Sequence, residues 1–265
     1  LHLVGCSSEN KVKQKIAQIR VWEDQSWTAN GRLTGFLSDK SEAVRDRATL
    51  ALGRANDTLA LDSLRRVLLD DPSAKVRGTA AFALSAWTWK VGKPSLLEAL
   101  EKEQDPEALV LILQSLARTY AREEYVLYYR FLHHPDPRVR AQTALTLDMI
   151  NRRESADSII LLLKDPDSFV RETALISLAR MGSEAAARAA LEFIDDPNSA
   201  IRAAAYRVVG STRFPERNAA ILKGYKDSDE MVRCAVADAC LLMRDTSVLN
   251  AIVPTLANDP SPGVV

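Results

Sequence analysis

The sequence predicts an all-α chain: a right-handed α-solenoid of stacked helical hairpins with a period of about 31 residues. Three observations carry this prediction. An Asp–Val–Arg–small pattern recurs along the chain, a helix-capping residue follows each Asp at a fixed offset, and apolar or small residues return every fourth position behind it. Composition agrees: 47% of the 265 residues are hydrophobic, which suffices for a core, and only 10 Gly and 11 Pro interrupt them. Lys plus Arg and Asp plus Glu balance at 35 each, so the chain lacks the long-range field of a nucleic-acid or anionic-surface binder.

The pattern is Asp, Val or Ile five positions on, Arg next, and a small residue three further. It reads Asp39, Val44, Arg45, Ala48 in the first copy and Asp71, Val76, Arg77, Ala80 in the second. A degenerate third copy has Asp105 and Val110, with Leu111 in place of Arg and Gln114 in place of the small residue. His134, Val139, Arg140, Thr143 follow, then Asp165, Val170, Arg171, Ala174, then Asp196, Ile201, Arg202, Ala205, and then Asp227, Val232, Arg233, Val236. Asp259 and Val264 open a copy that stops at Val265. Successive Val or Ile positions are 32, 34, 29, 31, 31, 31 and 32 residues apart, which marks a tandem array.

Each copy spells two helices. Two residues after the Asp stands Ser41, Ser73, Asp136, Asp167, Asn198, Asp229 or Ser261, all N-cap types, and Pro137 and Pro262 sit at the first helical position. Glu107 departs from this in the third copy. Triplets such as Val44, Ala48, Leu52 and Val170, Ala174, Leu178 place one apolar face on the helix that follows. The preceding helix of each hairpin is exemplified by 156–163 and 184–194, opened by Ser155 and Ser183. A lone hairpin buries too little to offset its ordering entropy, so neighbours must stack.

At the front, Lys11 to Trp22 reads as a polar N-terminal capping helix of the 11–265 array. Residues 1–10 read differently. Leu3-Val4-Gly5-Cys6 resembles a bacterial lipobox, with Cys6 as the lipidated residue and a polar tether behind it; two or more acyl chains hold stably to a membrane. This implies an envelope location with attachment through lipid alone, the alternative being a cytoplasmic protein with a fortuitous motif. No apolar run is long enough to span a bilayer as a helix. The last hairpin is expected to be incomplete, with the natural protein continuing beyond it.

Recurrence in every hairpin marks the Asp and Arg as structural. The expected ladder comprises Asp39, Arg45, Asp71, Arg77, Arg140, Asp165, Arg171, Asp196, Arg202, Asp227 and Arg233, each Arg bonding an Asp or loop carbonyl of its own or the adjacent hairpin. Asp-Pro-x-x-x-Val-Arg at this period resembles the short HEAT-like repeats of the phycobilin-lyase type, from Asp39 to the C-terminus. Residues 19–24, 48–53 and 80–84 are also similar to the repeat region of envelope HEAT-repeat lipoproteins that carry a cyclophilin-type peptidyl-prolyl isomerase domain. That resemblance implies an isomerase domain beyond residue 265, and a phycobilin-lyase-like role is a further alternative.

Within this chain no catalytic, cofactor or metal residue stands out. His2, His133 and His134 form no HExxH pattern, and neither a P-loop nor a GxSxG elbow occurs. Cys234 and Cys240 lack zinc spacing, face different sides of one helix, and are expected to be reduced and at least partly buried. Aromatics gather around the irregular spacing: Trp87, Trp89, Tyr120, Tyr125, Tyr128 and Tyr129. Trp87, Trp89, Tyr125 and Tyr128 are the candidate partner-binding residues, against the alternative that they fill a kink in the core. The expected partner is a protein or a downstream domain of the same chain, not nucleic acid.

Overall fold

A computed structural model describes residues 2–24, 31–55, 58–87, 89–119, 123–150, 153–243, 246–259, 261 and 263. Among them every regular element is helical and no strand occurs. The chain divides into two compact units, Leu1–Ala121 and Arg122–Val265.

The first unit contains α1 (His2–Asp24), α2 (Arg32–Gly35, running on as a 3-10 turn Phe36–Ser38), α3 (Glu42–Ala55), α4 (Leu61–Asp70), α5 (Ala74–Ser85), α6 (Trp89–Lys102) and α7 (Pro106–Arg118). The helices α1, α3, α5 and α7 pack side by side in one row, and α2, α4 and α6 each pack behind their hairpin partner. The α1 helix thus covers the open side of the first hairpin. Ile19 is its buried contact, while most of its described positions from Ser8 to Asp24 face solvent, as a cap requires. It starts nine residues before Lys11, and the side chains of residues 2–7, Cys6 included, lie outside the described set.

The second unit opens with a nine-residue 3-10 segment (Tyr125–His133), followed by α8 (Pro137–Met149), α9 (Ala156–Ile160, ending in 3-10 Leu161–Lys164) and α10 (Ser168–Met181). Then come α11 (Glu184–Ala190, ending in 3-10 Leu191–Phe193), α12 (Ser199–Gly210), α13 (Arg217–Gly224), α14 (Glu230–Met243) and α15 (Thr246–Leu256). The row α8, α10, α12, α14 stacks continuously. First helices are shorter and tighter than the periodicity predicts, since 156–163 and 184–194 each end in 3-10 turns.

The core lies between the two rows of each unit. On the second helix of these hairpins, positions three, seven and eleven after the N-cap are buried to within 2% exposure: Val44, Ala48, Leu52; Val76, Ala80, Leu84; Val139, Thr143, Leu147; Val170, Ala174, Leu178; Ile201, Ala205, Val209; Val232, Val236, Cys240. N-caps act as expected. Asp136, Asp167, Asn198 and Asp229 accept a hydrogen bond from the N–H two residues on at 2.8–2.9 Å, and Ser73 accepts from Val76 N at 3.4 Å.

The third hairpin corrects the sequence register. Asp105 is the N-cap of α7, accepting from Glu107 N at 2.8 Å, and so corresponds to Ser41 or Ser73, not to Asp39. The residue in the Asp slot is Glu103, which accepts from Asp105 N at 2.9 Å as Asp71 does from Ser73 N. The buried triplet is accordingly Ala108, Ile112, Leu116, while Val110 and Leu111 are half-buried and Gln114 is exposed. Buried anchors then stand at 44, 76, 108, 139, 170, 201 and 232, so the expected stretch to 34 and contraction to 29 disappear. Leu109, not Leu111, fills the Arg slot.

Candidate functional site

The Arg–Asp ladder is a bidentate seam between hairpins. Arg45 donates Nε and Nη2 to the Asp71 carboxylate of the next hairpin at 2.7 and 3.0 Å, and Nη1 to the Asp39 carbonyl of its own turn at 2.9 Å. Arg140 does the same with Asp165 at 2.7 and 2.8 Å and with the His134 carbonyl at 2.7 Å. Arg202 with Asp227, and Arg233 with Asp259, repeat it. Arg77 uses Glu103, at 2.6 and 2.8 Å. The first slot is taken from outside the pattern, by Lys15 of α1, which donates to Asp39.

Each acid also accepts the N–H of the N-cap residue two positions on, so its oxygens are fully engaged. Burial raises the Asp165 carboxyl, but the Arg140 guanidinium and the Asp167 N–H outweigh it and hold the group below the ordinary carboxylate range. The Arg202 bonds hold Asp227 low in the same way. Arg171 is the exception. It donates Nη1 to the Asp165 and Pro166 carbonyls at 2.8 and 3.1 Å, but its other edge makes no ion pair with Asp196. These bonds tie neighbouring turns together and give the ladder residues a structural role.

Two of the aromatic candidates are buried within their own units. Trp87 is buried at 6% exposure and Tyr128 at 0%, so both are core side chains of their own units and are corrected as partner-binding candidates. Burial also pushes the Tyr128 hydroxyl strongly upward, leaving it protonated. Tyr125 is half-buried in an edge-on contact with Tyr129, 5.7 Å between centroids at 86°. The Trp89 side chain and Tyr120 lie outside the described residues. His134 accepts the Asp136 N–H on Nδ1 at 3.1 Å, taking over the turn bond that an Asp makes elsewhere. Cys234 is half-buried, Cys240 is buried, and burial pushes the Cys240 thiol up to about 11. Among the described residues no three His, Cys, Asp or Glu side chains cluster to hold a metal ion.

Sequence reasoning passed over the solvent face of the second-helix row. In the second unit it carries Met149, Phe169, Ile176 and Met231 at 49, 56, 38 and 47% exposure. Phe169 and Ile176 lie two turns apart on one face of α10, and Met231 occupies in α14 the position of Phe169 in α10. The corresponding row of the first unit is more polar: Asp46 of α3 pairs with Lys75 of α5 at 3.0 Å and accepts from Thr79 at 2.6 Å, and Phe82, exposed at 39%, lies under the Arg118 guanidinium at 4.8 Å. For Phe169 and Met231 the signal was an apolar residue two positions after the N-cap, outside the buried triplets.

Comparison with known proteins agrees with this architecture. YibA of Escherichia coli has a crystal structure that superposes with a TM-score of 0.68 at 17% identity, covering 92% of this chain and 93% of YibA. Kap95p, solved with RanGDP, gives 0.60 at 16% identity over 89% of this chain and 38% of its own. Epoxyqueuosine reductase of Bacillus subtilis is 39% identical over 82 residues, 29% of this chain and 20% of that protein, so the chain spans about a fifth of this relative's length. A family model described as HEAT repeats matches residues 4–85, 126–199 and 188–265. Those matches cover most of the hairpins built above, and the chain belongs to the HEAT-repeat family.

Proposed function

We propose that this chain is a non-catalytic protein-binding scaffold whose contact surface is the solvent face of α8, α10 and α14 in the second unit. The observation that carries the reading is the set of large apolar side chains exposed there, Met149, Phe169, Ile176 and Met231. Exposed apolar groups on a rigid array are what a partner needs for a desolvated anchor. Kap95p, an array of similar fold, is a protein that binds Ran. The test places a photo-crosslinking residue at Phe169 or Ile176 in the native host, with the exposed Glu192 on the opposite row as control. A discrete protein adduct from the first two positions alone supports the reading; adducts equal at all three, or at none, contradict it.

The lipobox-like Leu3-Val4-Gly5-Cys6 supports a second element of the proposal, attachment to a bacterial membrane through lipid on Cys6. Labelled fatty acid should enter the protein in cells and be lost in Cys6→Ser. Incorporation that survives the replacement ends this part of the proposal and leaves the scaffold intact.

A further inference from the structure

The seams between hairpins leave open grooves at the turns, and two of them occupy equivalent places with opposite electrostatic character. In the first unit the groove between the α2 and α4 hairpins is lined by Asp39, Asp70 and Asp71 against Arg45 and Arg66, so acids outnumber bases. In the second unit the groove between the 125–133 segment and the α9 hairpin has a volume of about 330 Å³, at the lower end of ligand pockets. There Asp165 is the one acid, already neutralised by Arg140, and His133, His134 and Lys164 line the rest. Lys164 and His133 are exposed, and neither has an ion-pair partner among the described residues.

The inversion of character follows chiefly from two differences between the grooves: His134 stands where the first has Asp39, and Lys164 where it has Asp70. Its ring also supplies a donor. Because Nδ1 accepts the Asp136 N–H, the neutral ring carries its proton on Nε2. The groove is therefore rich in N–H donors and short of unengaged acceptors. Its apolar wall is made by Leu132, Leu161 and Leu162. A donor set beside an apolar wall fits a ligand whose carboxylate and apolar group are close together. In a peptide's last residue both leave the same Cα, whereas in an internal Asp or Glu the carboxylate takes the place of the apolar group.

We propose that the groove formed by His133, His134, Lys164 and Leu161 captures the C-terminal carboxylate of a peptide ending in an aliphatic residue. The inference rests on the scaffold reading for the protein nature of the ligand, but uses a different surface from the face of α8, α10 and α14. The test is fluorescence anisotropy on the full chain with a labelled Ala-Ala-Leu peptide bearing a free carboxylate, its C-terminal amide, and acetate as competitor. Expected are saturable binding at concentrations up to about 1 mM, at least about tenfold weaker binding of the amide, and a similar loss in Lys164→Glu. A smaller loss is expected in His133→Ala, with both variants melting as the parent does because both side chains are exposed. Equal binding of acid and amide, full competition by acetate at the peptide's own concentration, or no binding at all would overturn the proposal. Acid-specific binding that is unmoved by Lys164→Glu would sink this site while leaving the scaffold reading untouched.

Discussion

At Arg140 a single side chain joins three pieces of backbone: its own turn through the His134 carbonyl, the next turn through Asp165, and the helix it stands on. Truncation leaves the Asp165 carboxylate, whose side chain is 5% exposed, without its cation. Arg140→Leu is expected to cost about 2 to 3 kcal/mol. Arg171→Leu loses carbonyl bonds alone and should cost about 1 kcal/mol. Urea midpoints of the two variants decide this: equal losses would mean that the carboxylate half of the rung contributes nothing. Two glycines make a second residue-scale case. A Cβ on Gly53 would sit 2.8 Å from the Ala83 Cα, and one on Gly210 would sit 2.9 Å from the Ala239 Cα. The two positions are equivalent, twelve residues after the N-cap, facing backbone that cannot move aside as a side chain would. Gly53→Ala and Gly210→Ala should each destabilise by about 1 to 3 kcal/mol, read as a lowered thermal midpoint despite alanine's better helix propensity. Unchanged or raised midpoints would show that neighbouring helices yield easily.

At the level of the element, the turn between the two helices of a hairpin decides what was legible. Caps, buried triplets and the Arg slots follow from short-range chemistry that leaves fixed spacings, and these were readable in six of the seven second helices. The third failed because a Glu, one methylene longer, makes from position 103 the same turn and ladder bonds as an Asp, while a true N-cap Asp stood two residues on. Residue identity alone favoured the wrong acid. Burial of the aromatics and the 3-10 character of 125–133 depend on packing between rows, which leaves no periodic mark. The turns are also where pH should act. Asp39, Glu103, Asp165 and Asp227 all have folded pKa values below the ordinary range. Their contribution is complete above the unfolded pKa and is lost as pH falls through the folded one. Asp148, raised by burial against the opposing effect of Arg180, contributes with the opposite sign. The denaturation midpoint is therefore expected to stay level from about pH 7 to 5 and to fall below about pH 4. The double variant Arg140→Leu, Arg202→Leu should show a shallower fall. Parallel curves for parent and variant would remove the ladder from the explanation.

At the scale of the molecule, hairpins within each unit pack on their neighbours through repeated seams. The buried triplet recurs in all seven second helices and the bidentate guanidinium–carboxylate bond at Arg45, Arg77, Arg140, Arg202 and Arg233, while Arg171 makes carbonyl bonds alone and Leu109 stands in an Arg slot, so the packed triplet is the common feature. On the scaffold and groove readings proposed above, function belongs to what varies from hairpin to hairpin on the outside: Phe169 and Met231 on the helix faces, His134 and Lys164 in a turn. The most direct test removes one period, residues 171–201, joining Val170 to Arg202 so that the Val–Arg pair, the cap at Asp167 and the facing Asp227 are all kept. Circular dichroism of this shortened chain should show the parent's helical signal per residue and a cooperative melt at a lower midpoint. A chain that has lost its helical signal would contradict the claim, because it would mean that the excised hairpin was irreplaceable and the seams are not equivalent.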